Sequence, residues 1–212
     1  MPNHFMVVAG FQSKTPQYLT RESIKLAAHV LQISESKNTL LGFNSREASA
    51  SIDHLHFHIV YPEEKLHAQY ASTENLTASS NFPEGYSRID HFIDNFHFAL
   101  VDYDSVDEFS QSIHHVISVL QSMNIAHNLV LCKHEKERIR SVLFLRGLSD
   151  KKKDQEEYGI SLGVLEMAGF IVCKDEDTCS QLMKENGQAI EDNFNRLKLD
   201  QETLNAIYNL LL

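Results

Sequence analysis

The sequence predicts an α+β fold in which helices pack against a sheet rich in antiparallel strands. Strand and helix patterns follow one another in the mixed order β-α-β-loop-β-α-β-β-α, which favours this class. Two apolar stretches on either side of the charged segment 134–140 have the pattern of a hairpin. The 212 residues, of which 42% are hydrophobic, suit one globular domain or two small lobes that share a core.

The first half of the chain contains two predicted strands and one predicted helix. Alternating residues indicate a strand at His4–Val8 and a longer strand from about Ala50 to Tyr61. Apolar residues recur at helical spacing over residues 24–31, and Thr20 is a suitable N-cap for that helix. Residues 62–90 contain two of the four prolines and a polar stretch, so we expect an irregular loop or a connection between lobes.

The second half contains further patterns of both kinds. The lysine run Lys151–Lys153 is expected in a solvated loop, and Gly159–Cys173 is ambiguous between helix and strand. The other predictions are a strand at Asn95–Asp102, a helix at Ser105–Met123 that starts with a capping-box pattern, hairpin strands at Asn128–Lys133 and Ser141–Arg146, a polar helix at Asp177–Asn186 and a last helix from about Asp200.

Composition disfavours several classes of protein. The formal net charge of −10 disfavours a surface that tracks nucleic-acid phosphates, although backbone N–H groups can still hold one small phosphorylated ligand. No apolar run approaches the roughly 18–20 residues that cross a bilayer, no signal peptide follows Met1, and the three cysteines show no metal-like pairing. We therefore expect a cytoplasmic protein with no membrane segment, no nucleic-acid partner, no cofactor and no bound metal.

The segment Ile52–Val60 carries the clearest chemical signal. It alternates with period two, so Leu55, Phe57 and Ile59 would enter a core. The side chains of His54, His56 and His58 would line the opposite rim of the strand. A neutral imidazole can attack phosphorus and form a phosphoramidate. Two other readings stay open: imidazoles on one strand face can ligate zinc, and histidines can be purely structural.

Small residues before this strand favour phosphate recognition over a closed metal cage. Gly42 and the stretch Ala48–Ser51 would let backbone N–H groups approach a phosphate closely. The side chains of Asn44 and Ser51 could add hydrogen bonds to the same group.

These residues resemble a known family. Gly-Phe-Asn-Ser at residues 42–45, followed by Ala-Ser-Ile-Asp-His-Leu-His-Phe-His at residues 50–58, is similar to the GDP-D-glucose phosphorylases of animals and the related plant GDP-L-galactose phosphorylases, within the histidine-triad superfamily. Weaker matches lie at His4–Val8, Asn124–Leu129 and Leu165–Phe170. The matches occur in the family's order and span about residues 3–182.

The resemblance implies a histidine-triad-like fold with the two-lobe arrangement of galactose-1-phosphate uridylyltransferase-like proteins. It also implies phosphorolysis of a GDP-hexose by inorganic phosphate, which gives GDP and a hexose 1-phosphate. The implied nucleophile is His56, which would carry GMP covalently. The other residues implied at the site are the flanking His54 and His58, the phosphate contacts Asn44 and Ser51, and the backbone around Gly42.

The same resemblance divides the chain. Residues 1–67 would be the remainder of a first lobe that carries the catalytic strand, residues 68–90 a connection, and residues 91–212 a second lobe. Relatives usually have a substantial region before the first strand, so we expect this chain to be short at its N-terminus. A homodimer is one way to supply the missing wall of the site. The alternative function is that of a truncated, non-catalytic relative that binds nucleotide or another protein.

A few residues outside the histidine strand are secondary candidates. His127 and Asn128 open a predicted strand, and family analogy would bring them toward the site from the second lobe. Glu166 lies within an apolar run, so it is either a site residue or the buried partner of a cation. Cys132 and Cys173 lie among apolar residues and are expected to be small core residues.

Overall fold

The structure, a computed structural model, describes residues 3–75, 86–89, 97–103, 105–134, 138–149, 151–184 and 187–211. Within these ranges the strands are β1 (His4–Val8), β2 (Leu40–Asn44), β3 (His56–Val60), β4 (Thr73–Asn75), β5 (Tyr86–Ile89), β6 (His97–Tyr103), β7 (Ala126–Lys133) and β8 (Ile139–Arg146). The helices are α1 (Arg21–Ile33), α2 (His67–Tyr70), α3 (Val106–Ser122), α4 (Lys151–Tyr158), α5 (Val164–Met167), α6 (Glu176–Lys184), α7 (Gln188–Arg196) and α8 (Gln201–Leu211).

All eight strands belong to one sheet with the order β1-β3-β2-β7-β8-β6-β5-β4. Every strand pair that the described residues form is antiparallel. The predicted α+β class with an antiparallel-rich sheet is therefore confirmed. Pairing of β2 with β7 places Asn44 directly opposite Asn128, so residues far apart in sequence become neighbours.

The two faces of the sheet pack into two separate cores. Helices α1, α3 and α8 cover one face, where their apolar stripes bury residues such as Leu31, Ile117 and Ile207. The other face packs against α5, α6 and α7, through residues such as Val164 and Phe194. None of the helices in the described parts of the chain combines the length and the apolarity that crossing a membrane requires.

The two longest helices form where periodicity predicts them. The Thr20 side chain accepts a hydrogen bond from the Ser23 backbone N–H and caps α1, and the Ser105 side chain caps α3 in the same way. The predicted strand at residues 4–8 and the hairpin of β7 and β8 are also observed. The two helices are visible in the sequence because each has one buried face and a side-chain cap at its start.

The strand predicted from Ala50 to Tyr61 is shorter than expected. β3 begins only at His56, because loop contacts rather than a neighbouring strand hold the residues before it. The Leu55 N–H donates to the Thr15 carbonyl, and the Asp53 carboxylate accepts from the Gln17 N–H and pairs with Arg46. Residues 42–44, for which no strand was predicted, form most of β2.

Two predictions in the C-terminal half are corrected. The lysine run at residues 151–153 begins helix α4 instead of a loop, and the buried Asp154 of that helix is paired with Arg196 at 2.6 Å. The ambiguous stretch Gly159–Cys173 contains only the short helix α5 and is otherwise irregular. Helix α7 was not predicted, and of the polar helix predicted at 177–186, residues 185 and 186 lie outside the described ranges.

The proposed division into lobes stays a prediction. The segment 62–90 contains α2, β4 and β5 in its described parts, while residues 76–85 and 90 lie outside them. The strand predicted at 95–102 corresponds to β6, and residues 95 and 96 lie outside the described ranges. One continuous sheet joins residues from both expected lobes through the β2–β7 pair.

Candidate active site

The predicted alternation of the histidine segment is present from Leu55 onward. Leu55, Phe57 and Ile59 are at most 7% exposed and lie in the core formed with α1, α3 and α8. His56 and His58 point to the opposite face of the sheet. His54 precedes β3 and reaches the same neighbourhood from the loop. The sequence therefore predicted which side the histidines take, but only two of the three lie on the strand.

His56 is held in one orientation. Its Nδ1 lies 2.7 Å from the His54 carbonyl oxygen, and since a carbonyl only accepts, Nδ1 carries the proton and donates. In the neutral imidazole Nε2 then keeps its lone pair. The His56 backbone N–H donates to Gln17 Oε1 at 3.0 Å. Nε2 of the same Gln17 side chain donates to the Asn44 carbonyl oxygen at 2.9 Å. Gln17, which sequence reasoning missed, thus ties β3 to β2 from a loop.

An apolar cavity of about 300 Å³ lies against the His56 ring. Its walls come from the edge strand β1 and from the loops that follow β1 and precede β3. The lining residues are Met6, Val8, Phe11, Ile52, His54 and His56. Phe11 is 84% exposed at its mouth. His54 Nε2 is buried there and has no hydrogen-bond partner within the described ranges.

His58 belongs to a second, more polar environment. Its Nδ1 lies 2.9 Å from His4 Nε2, and the two rings are stacked with centroids 5.1 Å apart. The His56 and His58 rings meet edge to face at 5.2 Å. His4 comes from β1, a strand predicted from alternation and weakly matched to the family, but no site role was predicted for His4 itself. The pair formed by His56 and His58 therefore lies between the apolar cavity and the polar side of the site.

The Asn44 carboxamide is oriented by residues from the other half of the chain. Its Oδ1 accepts from Asn128 Nδ2 at 2.6 Å and from the Val164 N–H at 2.8 Å. Its Nδ2 must then point away from them, and it lies 3.5 Å from His58 Nε2. Asn128 is fixed in turn, because its Oδ1 accepts from Arg146 Nη1 at 3.1 Å. Asn44 therefore presents a donor on the side of the histidines.

A polar cavity of about 180 Å³ opens on this donor. Its walls include two of the residues expected at phosphates, Asn44 and Ser51, together with His4, His58 and Glu166. The structure thus brings Asn44, Ser51 and His58 to one cavity, and His54 and His56 to the adjacent one. Ser51 is exposed at the entrance, whereas Asn44 is 6% exposed.

Gly42 lies beneath the polar cavity and does not line it. It faces His58 across the β2–β3 pair, and a Cβ built there would be only 2.5 Å from Val164 Cγ1. Val164 is itself part of the cavity wall. The glycine therefore lets α5 pack directly on the sheet, so its visible role is to support the wall.

Two buried groups at or near the polar cavity, Arg146 and Glu166, have shifted pKa values. Arg146 is fully buried, and loss of hydration lowers its pKa to about 10, so the guanidinium stays charged at neutral pH. Glu166 lies in the polar cavity, and burial raises its pKa to about 7 even though the Gly163 N–H donates to its carboxylate at 2.8 Å. Burial dominates at Glu166, although backbone N–H groups and, to a smaller extent, the Arg146 cation favour its charged form.

The neighbouring pair His127 and Asn128 is split between the two faces of the sheet. Asn128 reaches the site, as described above. His127 points into the opposite core, where its ring stacks on Phe43 at 6.1 Å and burial lowers its pKa to about 4. Family analogy therefore led to one site residue and one core residue.

The zinc reading of the histidine strand finds no ligand set in the part of the chain that the structure describes. No group of three or more His, Cys, Asp or Glu side chains is arranged there to hold a metal ion. His58 is bonded to His4, and Nδ1 of His56 to a backbone carbonyl.

Comparison with known proteins defines the family. A model described as GDPGP1-like, N-terminal domain, matches residues 1–60, and a second, described as GDPGP1-like, C-terminal domain, matches residues 85–211. The chain belongs to this GDPGP1-like family, which confirms the resemblance noted in the sequence.

Relatives and solved structures show how distant the similarity is. GDP-D-glucose phosphorylase 1 of Xenopus laevis is 25% identical over 87% of this chain, and that of Danio rerio is 23% identical over 94%. The chain spans 49% and 58% of their lengths. A uridylyltransferase structure and a mutant of a uridylyltransferase each cover 89% of the chain with a TM-score of 0.45 and 10% identity, over 75% and 78% of their own chains.

Proposed function

We propose that this chain is a GDP-hexose phosphorylase that works through a covalent guanylyl intermediate on His56. The observation that carries the proposal is the fixed His56 ring, in which Nδ1–H donates to the His54 carbonyl and Nε2 keeps its lone pair beside a cavity. The names of the two relatives, both GDP-D-glucose phosphorylases, support the substrate class.

The proposed first step is attack of His56 Nε2 on the α-phosphorus of the GDP-hexose. The N–P bond forms while the bond from that phosphorus to the bridging oxygen breaks, and its electron pair leaves with the hexose 1-phosphate. In the second step an oxygen of inorganic phosphate attacks the same phosphorus, the N–P bond breaks, and GDP is released with the His56 ring restored. Splitting one displacement into two lets the same imidazole act as nucleophile and leaving group.

The two cavities suggest how the substrate lies. The apolar cavity beside His56 offers hydrocarbon walls suited to a flat base, and the polar cavity beside His58 offers donors suited to phosphate and sugar oxygens. Asn44 Nδ2 is such a donor, because its carboxamide oxygen is already occupied on the other side. Ser51 at the entrance can add a hydroxyl. The α-phosphorus would then lie at the junction, near His56 and His58.

The flanking histidines have distinct proposed roles. If Asn44 Nδ2 donates to His58 Nε2, then His58 Nδ1 carries the proton and donates to His4, which orients both rings along the cavity. Because His54 Nε2 is buried without a partner among the described residues, it is positioned to hydrogen-bond an oxygen of a substrate placed next to His56. We propose that His54 binds phosphate oxygens, and that His58, whose two ring nitrogens are engaged in this arrangement, orients Asn44 and His4 beside the reacting phosphorus.

The expected homodimer also stays a prediction. β1 is an outer strand of the sheet, and its residues Phe5 and Met6 are 58% and 51% exposed. Both lie on the strand that contributes to the apolar cavity. Sedimentation of the purified chain would show whether it is a dimer in solution.

The proposal is tested by turnover of GDP-glucose with phosphate. We expect GDP and glucose 1-phosphate from the wild type, none from His56→Ala, and wild-type rates from His115→Ala, which removes an exposed histidine on α3. Calorimetric titration with GDP accompanies the assay. Binding of GDP by the wild type without turnover would contradict the enzymatic proposal and support the alternative of a non-catalytic nucleotide-binding relative.

A further inference from the structure

Two of the three cysteines lie side by side near the polar cavity. The Sγ atoms of Cys173 and Cys179 are 2.6 Å apart, far closer than two sulfurs that merely touch and about 0.5 Å from the length of a disulfide bond. Both residues are half-buried, so a small reagent can reach them. The sequence placed Cys173 in the core and gave no sign of this pairing.

The turn between the two cysteines holds them together without help from the sulfurs. The Asp175 carboxylate accepts the Thr178 N–H at 2.8 Å, and its carbonyl oxygen accepts the Cys179 N–H at 3.2 Å. This is the pattern of a helix N-cap, and it begins α6. The chain therefore turns back so that a residue before the cap and a residue in the first helical turn face each other.

The third cysteine provides a contrast within the same chain. Cys132 is fully buried in β7, and loss of hydration raises its pKa to about 12. A thiol that is neither exposed nor ionised is inert toward oxidants. Burial and the adjacent Cys179 raise the pKa of the Cys173 thiol to about 11, but unlike Cys132 both Cys173 and Cys179 are only half-buried and can meet a small reagent.

We propose that Cys173 and Cys179 form a reversible disulfide when the chain meets an oxidised low-molecular-weight disulfide such as glutathione disulfide. In the first exchange the thiolate of one of the two cysteines attacks one glutathione sulfur and expels the other as a thiolate, which leaves a mixed disulfide. The second cysteine, after loss of its proton, attacks the sulfur of the first cysteine and expels the second glutathione thiolate. Two thiols of the chain are oxidised and one glutathione disulfide is reduced to two molecules of glutathione.

The position of the pair links it to the wall of the site. Val172, next to Cys173, lines the polar cavity together with Glu166. A bond from Cys173 to α6 therefore fixes the segment that carries part of this wall. The disulfide itself does not depend on the function proposed above, because its formation requires only the two cysteines and the turn.

The test is titration of the purified, reduced chain with mixtures of glutathione and glutathione disulfide. We expect the number of titratable thiols in the unfolded chain to fall from three to one, the mass to fall by about 2 Da, and a peptide map to join Cys173 to Cys179. Cys132→Ala should behave like the wild type. Cys179→Ser should form no internal bond.

Reduction with dithiothreitol should restore all three thiols, which distinguishes the disulfide from irreversible oxidation. Three free thiols at every glutathione ratio would overturn the proposal, and so would a bond that involves Cys132 or joins two chains. The peptide map of the wild type decides the matter even if a variant does not fold.

Discussion

Replacing Gly42 by alanine tests whether this residue supports the wall of the polar cavity. The added Cβ would lie 2.5 Å from Val164 Cγ1 and 2.9 Å from Cγ2, whereas carbon atoms pack at about 3.5–4.0 Å. Val164 is 1% exposed and packed within the core on that face of the sheet, and both of its methyl groups lie within 3 Å of the added Cβ. Overpacking of this kind costs about 1–3 kcal/mol of the free energy of unfolding. Gly42 does not have a positive φ, so backbone strain adds nothing.

A double-mutant cycle measured by urea unfolding isolates the contact. Val164→Ala alone should destabilise by about 1.5 kcal/mol or somewhat more, because two buried methyl groups are lost. In the double variant Gly42→Ala/Val164→Ala, the new Cβ enters the space that Val164 has vacated. We expect the double variant to be more stable than the sum of the two single effects by at least about 1 kcal/mol. Additive effects, or a Gly42→Ala variant as stable as the wild type, would show that contact with Val164 does not require glycine at this position.

Three further variants test the groups around the site. In Asn128→Asp the new side chain can still accept from Arg146 but cannot donate to Asn44 Oδ1, so the Asn44 amide should turn its oxygen toward His58. GDP affinity, measured by calorimetry, should then fall about 10–100-fold with the fold intact, and unchanged affinity would contradict the proposed orientation. The pKa of Glu166 rises on folding from 4.5 to about 7, so the folded state keeps a proton that the unfolded chain releases, and the free energy of unfolding falls by about 3 kcal/mol as the pH rises between these two values. Urea unfolding at pH 5 and pH 8 should show that Glu166→Gln lacks this fall, and an unchanged pH dependence would show that Glu166 is not its source. The pKa of His127 falls on folding from 6.5 to about 4, so the free energy of unfolding decreases by about 3 kcal/mol as the pH falls between these values. Melting curves of His127→Phe should lack this decrease, and equal acid sensitivity of the variant and the wild type would contradict the role of His127.

Local periodicity accounts for the elements that the sequence predicted well. Helices α1 and α3 each have one buried stripe and a side-chain cap, and both signals lie within a few neighbouring residues. Strand β2 has no such signal, because all five of its residues are buried and no alternation can arise. Helix α4 is predominantly polar and is fixed by the distant ion pair between Asp154 and Arg196, so its sequence looks like a loop.

In the candidate site, too, some residues could be predicted from local sequence and others could not. His56 and His58 were predicted from strand alternation, and Asn44 and Ser51 from their place before the strand and from family resemblance. Gln17 reaches His56 from a loop 39 residues away, and Arg146 acts on Asn44 only through Asn128 on the neighbouring strand. Contacts of this kind depend on which strands become neighbours in the sheet, and periodicity carries no information about that order.

Trapping the covalent intermediate tests directly whether His56 is the nucleophile. The chain is mixed with GDP-glucose labelled in the α-phosphate, without inorganic phosphate, and the protein is digested under basic conditions, in which a phosphoramidate survives. We expect one labelled peptide with GMP on His56 Nε2, and release of the label as GDP when phosphate is added. Label on another residue, or no label on a chain that binds GDP, would contradict the assignment of His56 as the nucleophile.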